Sequence, residues 1–130
     1  MIAAQGGDSA VCTDVSLLPQ APIIRPVLAP QAGYLARMDT TCLGNVAQDM
    51  GAGRKTKADI IDPSVGFVLR KRIGDRVEAG EALATVYARD EASAGAAGAR
   101  IAEILELSHT PVPASKLIHA IVTEHEIRRL

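Results

Sequence analysis

Five glycines between positions 51 and 80 cut the middle of this 130-residue chain into short pieces, and that punctuation constrains the fold more than any other feature. Ahead of Gly51, Leu43, Val46, Ala47 and Met50 fall at helical spacing. Thr40 is a suitable N-cap, because a hydroxyl accepts from the first unpaired N–H groups of a helix. Gly51 then suits the left-handed position that ends it. A short helix of this kind is held by packing rather than by propensity. After the loop 51–62, the near-continuous apolar run Val65–Leu69 predicts a strand buried on both faces. Arg70-Lys71-Arg72 returns the chain to solvent, Gly74-Asp75 turns it, Val77 packs back, and Gly80 turns it again into a strand over 82–88.

The flanks follow the same logic. Pro22, Pro26 and Pro30 punctuate the apolar residues Ile23, Ile24, Val27 and Leu28. Proline brings no donor to a strand ladder, so this strand belongs at a sheet edge or a bulge. Gly33 opens a further strand, with Tyr34, Ala36 and Met38 expected on one face and Leu35, Arg37 and Asp39 on the other. Asp90 is placed to cap a second helix whose stripe is Ala94, Ala97, Ile101, Ile104 and Leu105, with Gly95 and Gly98 weakening its first half. Thr110-Pro111-Val112-Pro113 breaks it; a last strand is expected over 117–123, then a polar, fraying end. At the other terminus, Met1–Ala4 reads as the tail of a helix stopped by Gly6-Gly7, and 8–20 as loop. The fold class is therefore α+β: a small, mostly antiparallel β unit with two short helices.

Tyr34, Phe67 and Tyr87 are the only aromatic residues, so the core is made of Ala, Val, Ile and Leu. Small side chains bury little area each. At roughly 25 cal/mol per Å² of apolar surface, such a core implies limited stability alone and a piece that leans on something larger. A net charge of −1 gives no footprint for nucleic acid. No apolar run approaches the roughly 18 residues of a membrane span. Cys12 and Cys42 lack metal-ligand spacing, and without a secretion-type leader reduced thiols in a cytoplasmic protein are expected.

Residues that could carry chemistry are few. Gly51 and Gly53 beside Arg54, Lys55 and Lys57 have the makings of an anion site, since outward N–H groups and cations attract negative charge. The glycines follow a helix, however, whereas phosphate loops precede one, so a helix cap with a solvated basic loop explains them too. His109, His119 and His125 have no metal-ligand spacing. No Gly-x-Ser-x-Gly elbow is present, Cys42 reads as a small residue in a first helical turn, and Asp62-Pro63 reads as turn initiation beside Asp59. The residues show no catalytic set, no metal site and no cofactor site.

The half-motif Gly74-Asp75-x-Val77-x-x-Gly80-x-x-Leu83 resembles part of a biotinyl- or lipoyl-type domain. A carrier needs a lysine at a hairpin tip, and none lies between Lys71 and Lys116. A stand-alone lipoyl-like interaction module, binding anions through Arg54, Lys55 and Lys57, is the alternative this leaves. The longer match is sharper. Gly51-Ala52-Gly53-Arg54-Lys55-Thr56-Lys57-Ala58-Asp59, Ile61-Asp62-Pro63-Ser64-Val65-Gly66 and Lys71 through Thr85 strongly resemble the C-terminal domain of the pyrimidine-nucleoside (thymidine) phosphorylases. Met1–Asp8, Leu18-Pro19 and Ala32-Gly33-Tyr34-Leu35 fit as well.

The resemblance implies a barrel-sandwich or hammerhead-like domain over 21–130, with 1–20 as the tail of a preceding-domain helix and a linker. Family members convert a pyrimidine nucleoside and phosphate reversibly to base and pentose 1-phosphate. They are homodimers whose catalytic and phosphate-binding motifs lie in their N-terminal two-thirds. None of those motifs occurs here, so no catalytic residue carries over. The expectation is a structural domain, inactive alone, whose partners are the missing N-terminal domains in cis or in trans.

Overall fold

The computed structural model describes residues 1–129. It is a small α+β unit built on two open, three-stranded antiparallel sheets. The first sheet joins β1 (Ile23–Leu28), β5 (Ala82–Ala88) and β3 (Gly66–Leu69) in the order β1-β5-β3. The second joins β4 (Arg76–Val77), β2 (Gly33–Met38) and β6 (Leu105–Ser108) in the order β4-β2-β6. Helices α1 (Thr40–Ala47) and α2 (Glu91–Ile104) complete the unit, and β7 (Ala120–Val122) pairs with β8 (Ile127–Arg129) as a separate hairpin. The glycine turns stitch the two sheets together. Gly74 N–H donates to the Leu35 carbonyl at 2.8 Å, and Leu35 N–H donates to the Asp75 carbonyl at 2.9 Å. Gly80 N–H and the Glu81 carbonyl both bond Ala29, each at 2.8 Å.

β1 is an edge strand, as a proline-bearing strand must be. It pairs with β5 from Ile23↔Ala88 to Leu28↔Ala82, and a bulge skips Leu83. That bulge lets Leu83 and Ala84 both reach the core. The core lies between the inner face of this sheet, the two helices and the second sheet. Leu35, Val77, Val86 and Ile101 are fully buried at its centre.

Several expectations need correction. The N-cap of α1 is Asp39 rather than Thr40: its carboxylate accepts the Cys42 N–H at 2.9 Å, and its extended backbone lets the side chain fold back over the first turn. The strict alternation along β2 fails because a bulge at Ala36 shifts the register, so Leu35 is buried and Met38 also packs on the core. Leu105 is buried, but as the first residue of β6 rather than the last of α2. β3 is not buried on both faces: it is the opposite edge of the first sheet, and Val68 is 44% exposed. Where a last strand over 117–123 and a polar tail are expected, residues 120–129 form a hairpin, closed where the Thr123 N–H donates to the Glu126 carbonyl. Asp90 does cap α2, accepting from the Ser93 N–H at 2.7 Å. The first 20 residues hold three isolated 3-10 turns, the first ending at Gly6 with φ +79°.

On the outer face of the first sheet, register places Ile24 beside Tyr87 and Gly66, and Pro26 beside Thr85 and Val68. Ile24 is 61% exposed and Leu28 51%. An antiparallel sheet with one wet face ordinarily puts polar residues there. This one is largely apolar on both.

Candidate functional site

The glycine-rich basic loop begins where α1 loosens into a single wider turn, Gln48–Ala52. Gly51, at φ +104°, reverses the chain. Its carbonyl accepts the Asp62 N–H at 2.9 Å, which closes the base of the loop. Beside it, the Arg89 guanidinium donates to the Met50 carbonyl at 2.7 Å, satisfying an acceptor that the ending helix leaves unpaired. The backbone at φ +104° favours glycine, and a Cβ on Gly51 would stand 2.7 Å from that guanidinium, which would have to swing aside.

The loop supplies its own anions. The Asp59 carboxylate accepts the Lys55 N–H at 2.8 Å, the Thr56 N–H at 2.9 Å and the Thr56 hydroxyl at 2.7 Å. These bonds, the Thr56 hydroxyl foremost, hold its carboxyl below the usual range. Asp49 takes an ion pair from Lys55 on one oxygen and from Arg100 on the other. Lys55 first and Arg100 second depress its carboxyl as well. The Gln48 amide donates to the Arg54 carbonyl. Asp62 accepts the Ser64 N–H at 3.0 Å and its hydroxyl at 2.6 Å, initiating the turn at Pro63.

The N–H groups gathered in this loop are those of Lys55 and Thr56 rather than of Gly51 and Gly53, and a carboxylate of this chain, Asp59, takes them. Lys55 is likewise paired internally, while Arg54 and Lys57 are exposed on the loop. The shallow cavity beside them has both Asp49 and Asp59 in its lining. Such a geometry fixes the loop's shape; it presents no nucleophile next to a base. The residues that hold the loop from outside, Arg89 and Arg100, stand tens of positions away, and nothing local in the sequence points to them.

The remaining candidates stay apart. His109, His119 and His125 are exposed, and no group of three or more potential metal ligands occurs among the described residues. Cys12 and Cys42 are free and exposed. Among the described residues no helix is long and apolar enough to cross a membrane.

The family model for the pyrimidine nucleoside phosphorylase C-terminal domain matches residues 34–108, which contain the loop and most of both sheets. The chain is 42% identical over 118 residues to a pyrimidine-nucleoside phosphorylase of Geobacillus stearothermophilus and 42% identical over 120 residues to that of Bacillus subtilis. A Staphylococcus aureus counterpart is 38% identical over 120 residues. These alignments cover 91–92% of this chain but 27% of each relative, so the chain spans about a quarter of their length. With more than half its residues inside the family match, and with the loop and turns that carry the motif seen to build the fold, the chain belongs to the pyrimidine nucleoside phosphorylase C-terminal domain family.

Proposed function

We propose that this chain works as the structural C-terminal domain of a pyrimidine-nucleoside phosphorylase, bracing domains that carry out phosphorolysis and having no such activity alone. One observation carries the reading: the outer face of the β1-β5-β3 sheet exposes a row of apolar side chains, with Arg70 bonded to Thr85 among them. Ile24, Leu28 and Val68 are each more than two-fifths exposed there, and Pro26 is exposed between them. A patch of this kind marks a contact surface. On this reading the partners are the N-terminal phosphorylase domains, in cis or in trans, within a cytoplasmic homo-oligomer that touches neither nucleic acid nor membrane.

Co-purification with the N-terminal two-thirds of the Geobacillus stearothermophilus relative tests the contact. The wild-type chain is expected to be retained, and Val68→Lys to be lost from the complex while keeping its own melting temperature. Equal retention of both would overturn the assignment of this face.

A further inference from the structure

A second feature lies away from the basic glycine loop. The connection from β3 to β4, residues 70–75, faces the segment 114–117 across a groove of about 670 Å³. The wall is seated closely: Gly74 has φ +96°, and a Cβ there would lie 2.7 Å from Ala114 Cα. Arg70, Lys71 and Arg72 line one side of the groove, with Asp75 as the carboxylate in its lining among the described residues. Lys71 is paired with Glu81 at 2.6 Å. Asp75 caps its own turn, accepting the Arg72 N–H at 2.8 Å. Arg70 is steadied by its Nε bond to Thr85 Oγ1 at 2.9 Å. Among the described residues neither Arg70 nor Arg72 is ion-paired with a carboxylate. Met38, Leu69, Ile73 and Leu117 make the rest of the lining apolar.

We propose that this groove binds a small phosphate monoester of nucleoside monophosphate size. The volume is that of a small-molecule site, which combines apolar walls with a few convergent polar groups. Two guanidinium groups two residues apart suit a phosphate dianion, which takes short, charge-assisted bonds from arginine. The apolar lining offers the face of the base and the sugar carbons a packing surface, and the open side of the groove leaves the sugar hydroxyls in water.

The test is titration of the full chain with uridine monophosphate, followed by calorimetry or NMR, with uridine and orthophosphate in parallel. Saturable binding of uridine monophosphate is expected, with uridine and orthophosphate each weaker by about tenfold or more, since both halves of the ligand are used. Arg72→Gln weakens the nucleotide by about tenfold, the loss of one charge-assisted bond. The Arg72 side chain makes no ion pair among the described residues, so the variant is expected to melt with the wild type. Arg128→Gln, on the exposed hairpin, leaves binding unchanged. Absence of saturation at millimolar nucleotide, equal binding of uridine, or equal losses from Arg72→Gln and Arg128→Gln would each overturn the proposal.

Discussion

Replacing Gly51 with alanine isolates the position on which the basic loop turns. Two costs are legible in the structure. At φ +104° a side chain is strained, which costs about 1–3 kcal/mol. The new Cβ would also sit 2.7 Å from the Arg89 guanidinium, which must shift from the Met50 carbonyl it bonds at 2.7 Å. Because Arg89 is exposed and solvent can compensate, the lost bond is worth about 1 kcal/mol rather than the full charged value. Together Gly51→Ala should destabilise by roughly 2–4 kcal/mol, and the melting temperature should fall by roughly 10 °C for a domain of this size. The two costs separate in a double-mutant cycle with Arg89→Met, measured by urea denaturation. Once the guanidinium is gone, Gly51→Ala should retain only the backbone cost, giving a coupling of about 1 kcal/mol. A Gly51→Ala variant within about 0.5 kcal/mol of wild type, or strict additivity with Arg89→Met, would refute the reasoning.

Other turns and caps give further expected outcomes. Gly74→Ala places a Cβ against the backbone of Ala114, so the 114–117 segment should lift and trypsin should cleave after Lys116 faster than in wild type. Asp49, Asp59, Asp62 and Asp90 all have carboxyls held low, by Lys55, the Thr56 hydroxyl, the Ser64 hydroxyl and the Ser93 N–H respectively. The folded chain thus binds fewer protons than the unfolded one in acid. Their contribution should be complete above about pH 5 and be lost progressively as pH falls through the unfolded value of about 4 and then the lower folded values. Thermal melts across that range should show it, and Asp49→Asn should flatten the acid limb.

The parts of the fold that show in the sequence are those fixed by local chemistry. Gly51 reads as a helix stop because only glycine takes φ +104° readily, and Pro26 marks an edge because it lacks a donor. Asp90 reads as a cap for the same kind of reason. The losses come where a tertiary partner decides. β6 follows α2 with no glycine or proline between them, and Leu105 sits where the helical stripe would continue, so only its pairing with Met38 marks it as a strand. β8 hides behind a turn closed by Thr123, whose hydroxyl accepts from the His125 and Glu126 N–H groups in place of a glycine turn. At the basic loop, Arg54, Lys55 and Lys57 advertise an anion site. Asp59, four residues from Lys55, takes the Lys55 and Thr56 N–H groups, and Asp49 with Arg100 at its back takes the Lys55 ammonium. Such pairings depend on how the chain folds back, and spacing alone does not record them.

The most direct measurement is phosphate-dependent release of thymine or uracil from thymidine or uridine. The purified chain would be assayed alone and again with the N-terminal two-thirds of the Geobacillus stearothermophilus relative. No release by the chain alone, with release restored by the combination and absent from the N-terminal portion by itself, is the predicted result. Turnover by the chain alone would contradict the account, as would an N-terminal portion equally active without it.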